Sequence, residues 1–252
     1  MGYTEKLADV YDLIFGCRGK DYDGESAEVV RQVRARCPHA SSLLDVGCGT
    51  GNHMLRFREA FAHVEGVEPA APMRRLAEQK LQSLRIHAAD VRQLCLDREF
   101  DAVSCMFGPI GYMADPPELV TAIRRLAAHL AVGGVLVLDP WWFPENFIDG
   151  YVRAEVARDQ SRSVARVSHS VRTGSSMRIT AKYLVGDADG VTEFCTEDTL
   201  SLFRPDQYAE AFTAAGLTVE YLPAAATDRG LFVGVRGGVA CPAAPTLREQ
   251  AP

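Results

Sequence analysis

The sequence predicts an α/β fold: a doubly wound sheet with helices on both faces, interrupted late in the chain by an inserted antiparallel β lobe. Three observations carry that expectation. Short apolar runs alternate with segments of helical period between residues 42 and 138. The first three runs each carry an acid at or near their end, Asp45, Glu68 and Asp90. Between residues 151 and 203 the period changes to simple alternation broken by turn signals. Strand–helix–strand units with short links make a parallel sheet, whereas alternation between turns makes hairpins.

Taken in order, residues 3–16 space Leu7, Val10, Tyr11, Ile14 and Phe15 as a helix, and a loop with Arg18, Gly19, Lys20 and Tyr22 follows. Tyr11 and Tyr22 with the two cations read either as a lid over a ligand or as packing aromatics and solvated charges. A helix is expected over 24–36, then a strand at 42–46 entering the turn Gly47-Cys48-Gly49-Thr50-Gly51. Helices at 52–61 and 72–82 alternate with strands at 63–68, 84–88 and 100–107. A long helix at 117–130 carries His129 and is closed by Gly133-Gly134 before a strand at 135–138. The lobe shows strands at 163–171, 177–185 and 192–202, with turns at Thr173-Gly174 and Asp187–Gly190. A helix at 205–215 and strands at 217–222 and 230–235 return to the α/β pattern. The expected organisation is a ligand-binding core of 1–140 and 204–236, a β lobe of 141–203, and a disordered Pro- and Ala-rich tail at 237–252.

A chain of 252 residues with 47% hydrophobic and 24% charged residues buries one sizeable core of soluble type. A formal charge of −6 argues against broad nucleic-acid binding, which leaves a basic footprint. Seven scattered cysteines without a C-x-x-C pair indicate neither a metal site nor a disulfide framework, so reduced thiols and a cytoplasmic location are expected. There is no secretory h-region and no apolar run of membrane-spanning length, so no membrane partner is expected.

The glycine turn lets a ligand approach backbone at the mouth of a helix. Its third glycine comes too early for the dinucleotide fingerprint, and no P-loop lysine follows. The acids Asp45, Glu68 and Asp90 rim the strand ends. Singly they read as a turn cap, a solvated end and an N-cap. Together they repel a pyrophosphate and suit a ligand with a cationic centre, ribose hydroxyls and an adenine amine.

The Asp45–Gly51 turn with Glu68 and Asp90 resembles the class I S-adenosylmethionine-dependent methyltransferases. That resemblance implies a Rossmann-like sheet whose last strand is antiparallel, and S-adenosylmethionine as cofactor. It also implies a binding set of Asp45, Gly47, Gly49, Gly51, Glu68 on the ribose, Asp90 with Val91 on the adenine, and Met106 against the cofactor. Residues 8–236 resemble more closely the TDP-amino-sugar N,N-dimethyltransferases of desosamine and mycaminose type. The motifs are Arg18–Tyr22, Pro140-Trp141-Trp142-Phe143-Pro144-Glu145, Arg166–Ser170 and Arg229-Gly230-Leu231-Phe232. The resemblance implies a TDP-linked amino-deoxy sugar as substrate, N,N-dimethylation in antibiotic deoxysugar biosynthesis, and a homodimer. Arg18, Lys20, Arg166 and Arg229 are the candidate partners of the diphosphate, with Tyr22 in the same loop. Of Trp141 and Trp142, one is read as packing in the core and the other as flanking a sugar or thymine ring, with a structural role for both as the alternative; Ser168 and Ser170 share one strand face opposite His169.

Methyl transfer from a sulfonium to a neutral amine is an in-line displacement, which holding and aligning the partners accelerates by up to roughly 7–11 kcal/mol. Tyr112 stands where some relatives carry a His, and a phenol with an unperturbed pKa of about 10 is a poor base. Tyr11 and Tyr112 are therefore expected to orient the sugar, without a dedicated base. The rival readings are a same-fold methyltransferase acting on another small amine or hydroxyl, and a non-catalytic S-adenosylmethionine-binding protein. An NAD-type oxidoreductase fits less well, given the early third glycine and the acid rim.

Overall fold

A computed structural model of the chain describes residues 3–223 and 227–237. The central sheet grows from near-continuous apolar runs, which a strand covered on both faces requires. Its strands are β1 (Ser42–Val46), β2 (His63–Val67), β3 (Arg85–His87), β4 (Phe100–Cys105), β5 (Leu130–Leu138), β10 (Glu220–Leu222) and β11 (Leu231–Val235), in the order β10-β11-β5-β4-β1-β2-β3. β1 to β5 are parallel, and β11 lies antiparallel to β5 and β10.

Strand parity divides the core into two layers. Leu44, Val46, Leu136 and Leu138 face α5 (Pro116–Ala128) and α6 (Pro205–Ala214) through Leu119, Ile123, Tyr208 and Phe212. Leu43, Val135 and Val137 face α2 (Tyr22–Arg36) and α3 (Asn52–Ala60) through Val29, Val33, Met54 and Phe57. α4 (Ala71–Lys80) links β2 to β3. Strand order reverses between β1 and β4, so the loops leaving these strands open a crevice at the carboxyl edge.

The lobe is one antiparallel sheet of β6 (Tyr151–Arg158), β7 (Ser163–Thr173), β8 (Ser176–Asp187) and β9 (Gly190–Ser201). Two-residue turns join β7 to β8 and β8 to β9, fixing the register. α1 (Glu5–Cys17) lays Leu7, Val10 and Ile14 on Ala157, Val164, Ala181 and Tyr183 of the lobe. Ion pairs tie the same helix both ways: Glu5 to Arg75 and Asp12 to Lys80 on the α/β body, Asp9 to Arg162 on the lobe.

Three local expectations change. α5 stops at Ala128 and the chain enters β5 at Leu130, so Gly133 and Gly134 lie inside a strand rather than closing a helix. They absorb a register shift between Phe100↔Leu130 and Ala102↔Val135. The strand expected at 217–222 is reduced to β10 and an isolated bridge from Leu217 to Arg236. β6, not singled out from the sequence, forms an edge of the lobe. Except for Gly237, the expected tail lies outside the described residues. Among the described residues, no helix is long and apolar enough to cross a membrane, and no cluster is arranged to hold a metal ion.

Candidate active site

At the carboxyl edge of β1, β2 and β4 lies a pocket whose lining includes Gly47, Gly49, Glu68, Asp90, Val91 and Met106. Gly47 has φ +75°, and a Cβ there would lie 2.6 Å from Pro109, so only glycine lets the turn close on that ring. Gly49 donates its N–H to Glu68 Oε2 at 2.9 Å, and Ala70 N–H donates to the other oxygen at 2.8 Å. The carboxyl is thus fixed at the pocket wall, where burial pushes its pKa up against those two donors. Arg92 closes on Asp90 with its fork at 2.8 and 2.7 Å and its own N–H at 2.9 Å, holding that carboxyl below its ordinary value. Two side-chain-free turn positions, one immobilised acid and the apolar Val91 and Met106 suit the groups of S-adenosylmethionine.

Asp45 and Gly51, also expected in the binding set, are not among the residues that line this pocket. Asp45 lies within β1; its Oδ1 accepts from Ser104 Oγ of β4 at 2.7 Å, and its Oδ2 is buried without a hydrogen-bond partner among the described residues. Gly51 is the left-handed N-cap of α3, and a Cβ there would lie 2.6 Å from Leu81. Its smallness serves helix packing.

Beside the pocket is a cavity of about 450 Å³ between α1, the segment after β5 and one face of the lobe. Tyr3, Tyr11, Phe107 and Tyr112 border both spaces, so the two meet at a ring of aromatics. Tyr112 donates to Asp198 Oδ1 at 3.2 Å and lies 3.4 Å from the Tyr3 hydroxyl. Burial drives the phenols of Tyr112 and Tyr11 well above their ordinary value, so both stay protonated. Phe107 has φ +67°, a left-handed conformation costing on the order of 1–3 kcal/mol in a non-glycine residue. Its N–H is held by Asp139 Oδ2 at 3.0 Å, and Lys20 Nζ lies 3.8 Å over its ring.

Of the expected substrate residues, Tyr11, Arg18, Trp141, Trp142, Arg166, Ser168, Ser170 and Arg229 line the large cavity; Lys20 and Tyr22 line neither space. α2 begins at Tyr22, directly after the loop that carries Lys20. Lys20 instead pairs with Glu25 at 2.5 Å, Glu25 holds His53 at 2.8 Å, and Tyr22 packs edge-on against His53. Ser168 and Ser170 are buried on the cavity face and His169 is exposed on the other.

The cations fall into two groups. Arg18, Arg153 and Arg166 all address Glu155, at 3.6, 2.7 and 2.9 Å, so three positive charges share one negative charge. Arg229 is already neutralised: its Nη2 lies 2.5 Å from the buried Asp139, and its Nε donates to Pro140 O at 2.8 Å. Its guanidinium stacks 5.7 Å from Trp141 and 5.5 Å from Trp142. Trp141 in turn packs so closely on Gly108 that a Cβ there would lie 2.6 Å from the indole. Sequence reasoning missed Tyr3, Phe107, Asp139, Arg153 and Asp198. The alternation of β6 and β9 carried a signal for two of them, since Arg153 shares a face with Glu155, and Asp198 with Thr196 and Leu200.

A family model described as a methyltransferase domain matches residues 43–134. The chain is 47% identical over 234 residues to the dTDP-3-amino-3,4,6-trideoxy-alpha-D-glucopyranose N,N-dimethyltransferase of Streptomyces venezuelae, covering 92% of this chain and 99% of the relative. It is 44% identical over 234 residues to the dTDP-4-amino-2,3,4,6-tetradeoxy-D-glucose N,N-dimethyltransferase of Saccharopolyspora spinosa, covering 93% and 94%. Among solved structures, Streptomyces venezuelae DesVI superposes with a TM-score of 0.88 at 47% identity, covering 91% of this chain and 98% of that one. S-adenosylmethionine-bound CalS10, an amino pentose methyltransferase of Micromonospora echinaspora involved in calicheamicin biosynthesis, gives 0.83 at 46% identity, covering 90% and 96%.

Proposed function

The chain belongs to the dTDP-amino-sugar N,N-dimethyltransferases, a branch of the S-adenosylmethionine-dependent methyltransferases, and on that premise we propose that it dimethylates the amine of a TDP-linked amino-deoxy sugar in antibiotic deoxysugar biosynthesis. The observation that carries the proposal is the junction at Tyr3, Tyr11, Phe107 and Tyr112, where a donor pocket opens into a cavity with an arginine cluster in its wall.

S-adenosylmethionine, when bound, supplies an electrophilic methyl on a cationic sulfur. Everything else falls to the chain's own residues. The glycine turn and Glu68 hold the donor. Arg18, Arg153 and Arg166 hold the diphosphate, since one glutamate leaves them short of negative charge and guanidinium forks match phosphate oxygens. The four aromatics exclude water and orient the amine, so proximity and alignment provide most of the acceleration. Arg229 keeps the Trp141 and Trp142 wall in place.

The two relatives named above carry the amine on C3 and on C4 at nearly equal identity, so the substrate is proposed as a class. Incubation with S-adenosylmethionine and TDP-3-amino- or TDP-4-amino-dideoxyhexoses, read by mass spectrometry, should give products with two added methyls. No added methyl on any such sugar overturns the proposal. Saturable binding of TDP alone separates it from a methyltransferase of another small amine or hydroxyl, which should ignore TDP. A homodimer and a cytoplasmic location complete the reading. Val152, Val156, Val167 and Leu184, exposed on the lobe face away from the cavity, support the first. The six described cysteines, all free, support the second.

A further inference from the structure

Asp198 has no part in the reading above, yet it is placed where the chemistry needs a negative charge. It lines the large cavity from β9, and its Oδ1 accepts from Tyr112, one of the four residues at the junction. Among the described residues it has no cationic partner, and its second oxygen accepts no hydrogen bond. A carboxylate in a partly buried wall without a counter-charge is a site that favours a cationic guest.

The lobe's register sets its distance from the arginine cluster. Asp198 pairs with Ile179, which pairs with Ser170; Arg166 pairs with Tyr183, which pairs with Phe194. The two side chains share a face, about 13 Å apart along the strands and about 10 Å across two strand spacings. Less the reach of both side chains, that is roughly the span of one sugar ring. The groups packed around Asp198 are the Tyr112 and Tyr3 hydroxyls on one side and the uncharged Thr196, Leu200 and Ile179 on the other.

We propose that Asp198 is the charge receptor and proton acceptor for the sugar amine, a role that rests on the amino-sugar reading. The amine arrives as R–NH3+ and is held by the carboxylate. A proton passes from nitrogen to Asp198 Oδ2, leaving neutral R–NH2. The nitrogen lone pair forms the new N–C bond as the C–S bond breaks, and that electron pair stays on sulfur. The product R–NH2+–CH3 carries a proton to shed before the second transfer, and Asp198, having lost its first proton to solvent, accepts this one too. Tyr112 keeps the carboxylate oriented and stays protonated throughout.

The test is the Asp198→Asn variant, which keeps an oxygen for Tyr112 but cannot take a proton. With a TDP-amino sugar, kcat/KM at pH 7 should fall by about 10²-fold and recover steeply as pH rises and the free amine becomes abundant. Wild type should vary far less over the same range. The variant should also accumulate monomethylated sugar, because the intermediate ammonium has lost its acceptor. Asp198→Glu should restore the wild-type pH dependence, while TDP and S-adenosylhomocysteine affinities stay unchanged in both variants. A variant whose pH profile and mono- to dimethyl ratio match wild type overturns the inference while the substrate reading stands. Loss of TDP affinity in both variants also overturns it, by assigning Asp198 to the cavity's structure. If wild type itself adds no methyl to any TDP-amino sugar, the substrate reading fails and takes this inference with it.

Discussion

The pocket proposed for the donor and the cavity proposed for the acceptor meet at four shared aromatic residues, yet they are assembled in opposite ways. Apart from Tyr3 and Tyr11, the pocket's lining comes from residues 46–113, at strand ends and the turns that follow them. Much of its character is backbone: φ-positive glycines, fixed N–H groups and one acid locked by them. The cavity gathers α1, the segment after β5, the lobe and Asp228–Arg229 from across the whole chain. Its wall is mostly aromatic and apolar side chains, and the charges among them are held by other side-chain charges. The pocket depends on turn geometry, whereas the cavity loses its charges one partner at a time.

That contrast can be broken most forcefully at Asp139. Asp139→Ala leaves the Arg229 guanidinium buried without its partner and the strained Phe107 without its acceptor. We expect a loss of about 3–5 kcal/mol of stability, seen in denaturant unfolding, with the acceptor side more damaged than the donor side. Next comes Glu68→Ala, which should weaken S-adenosylmethionine by about 2–3 kcal/mol in calorimetry while leaving TDP affinity alone. A parallel loss of TDP affinity would erase the division between the two regions. Arg166→Met should do the reverse, weakening TDP by about 1.5–3 kcal/mol and sparing the cofactor.

The smallest effect belongs to the cation that lines neither space. Lys20→Met should leave TDP affinity within about twofold, because its charge is spent on Glu25. The same cluster has a pH signature. Burial pushes the Glu25 carboxyl up, but His53 and Lys20 outweigh it, and the folded value lies below the ordinary one. Its stabilisation is therefore complete above the unfolded value, near 4.3, and is lost as pH falls through the lower folded value. Glu25→Gln should remove that part of the acid transition in thermal melts between pH 7 and pH 3.

The same contrast explains what could be read in advance. Apolar runs, helical period and turn signals are local, so the sheet, its helices and three of the four lobe strands were legible. Glu68 and Asp90 follow strand ends and so were legible as an acid rim, while Gly47, Gly49 and Met106 came with the family resemblance; all five line the pocket. Gly51 and Asp45 look the same in sequence, but only three-dimensional packing reveals that one meets Leu81 and the other Ser104. Arg229 and Lys20 show in sequence as charges, but their pairing with Asp139 and Glu25 does not. Asp139 stands 90 residues from Arg229, and no spacing rule links them. Tyr3 and Asp198 come to Tyr112 from opposite ends of the chain, which only the packing of α1 on the lobe brings about.

That packing makes one helix a wall common to both spaces. α1 contributes walls to both spaces and is fastened at Asp12 to Thr50 and Asn52 beside the glycine turn, and at Asp9 to the lobe. A change in how α1 sits on either anchor would therefore be felt in both spaces at once, so the fit of the lobe to the α/β body sets the shape of the junction between them.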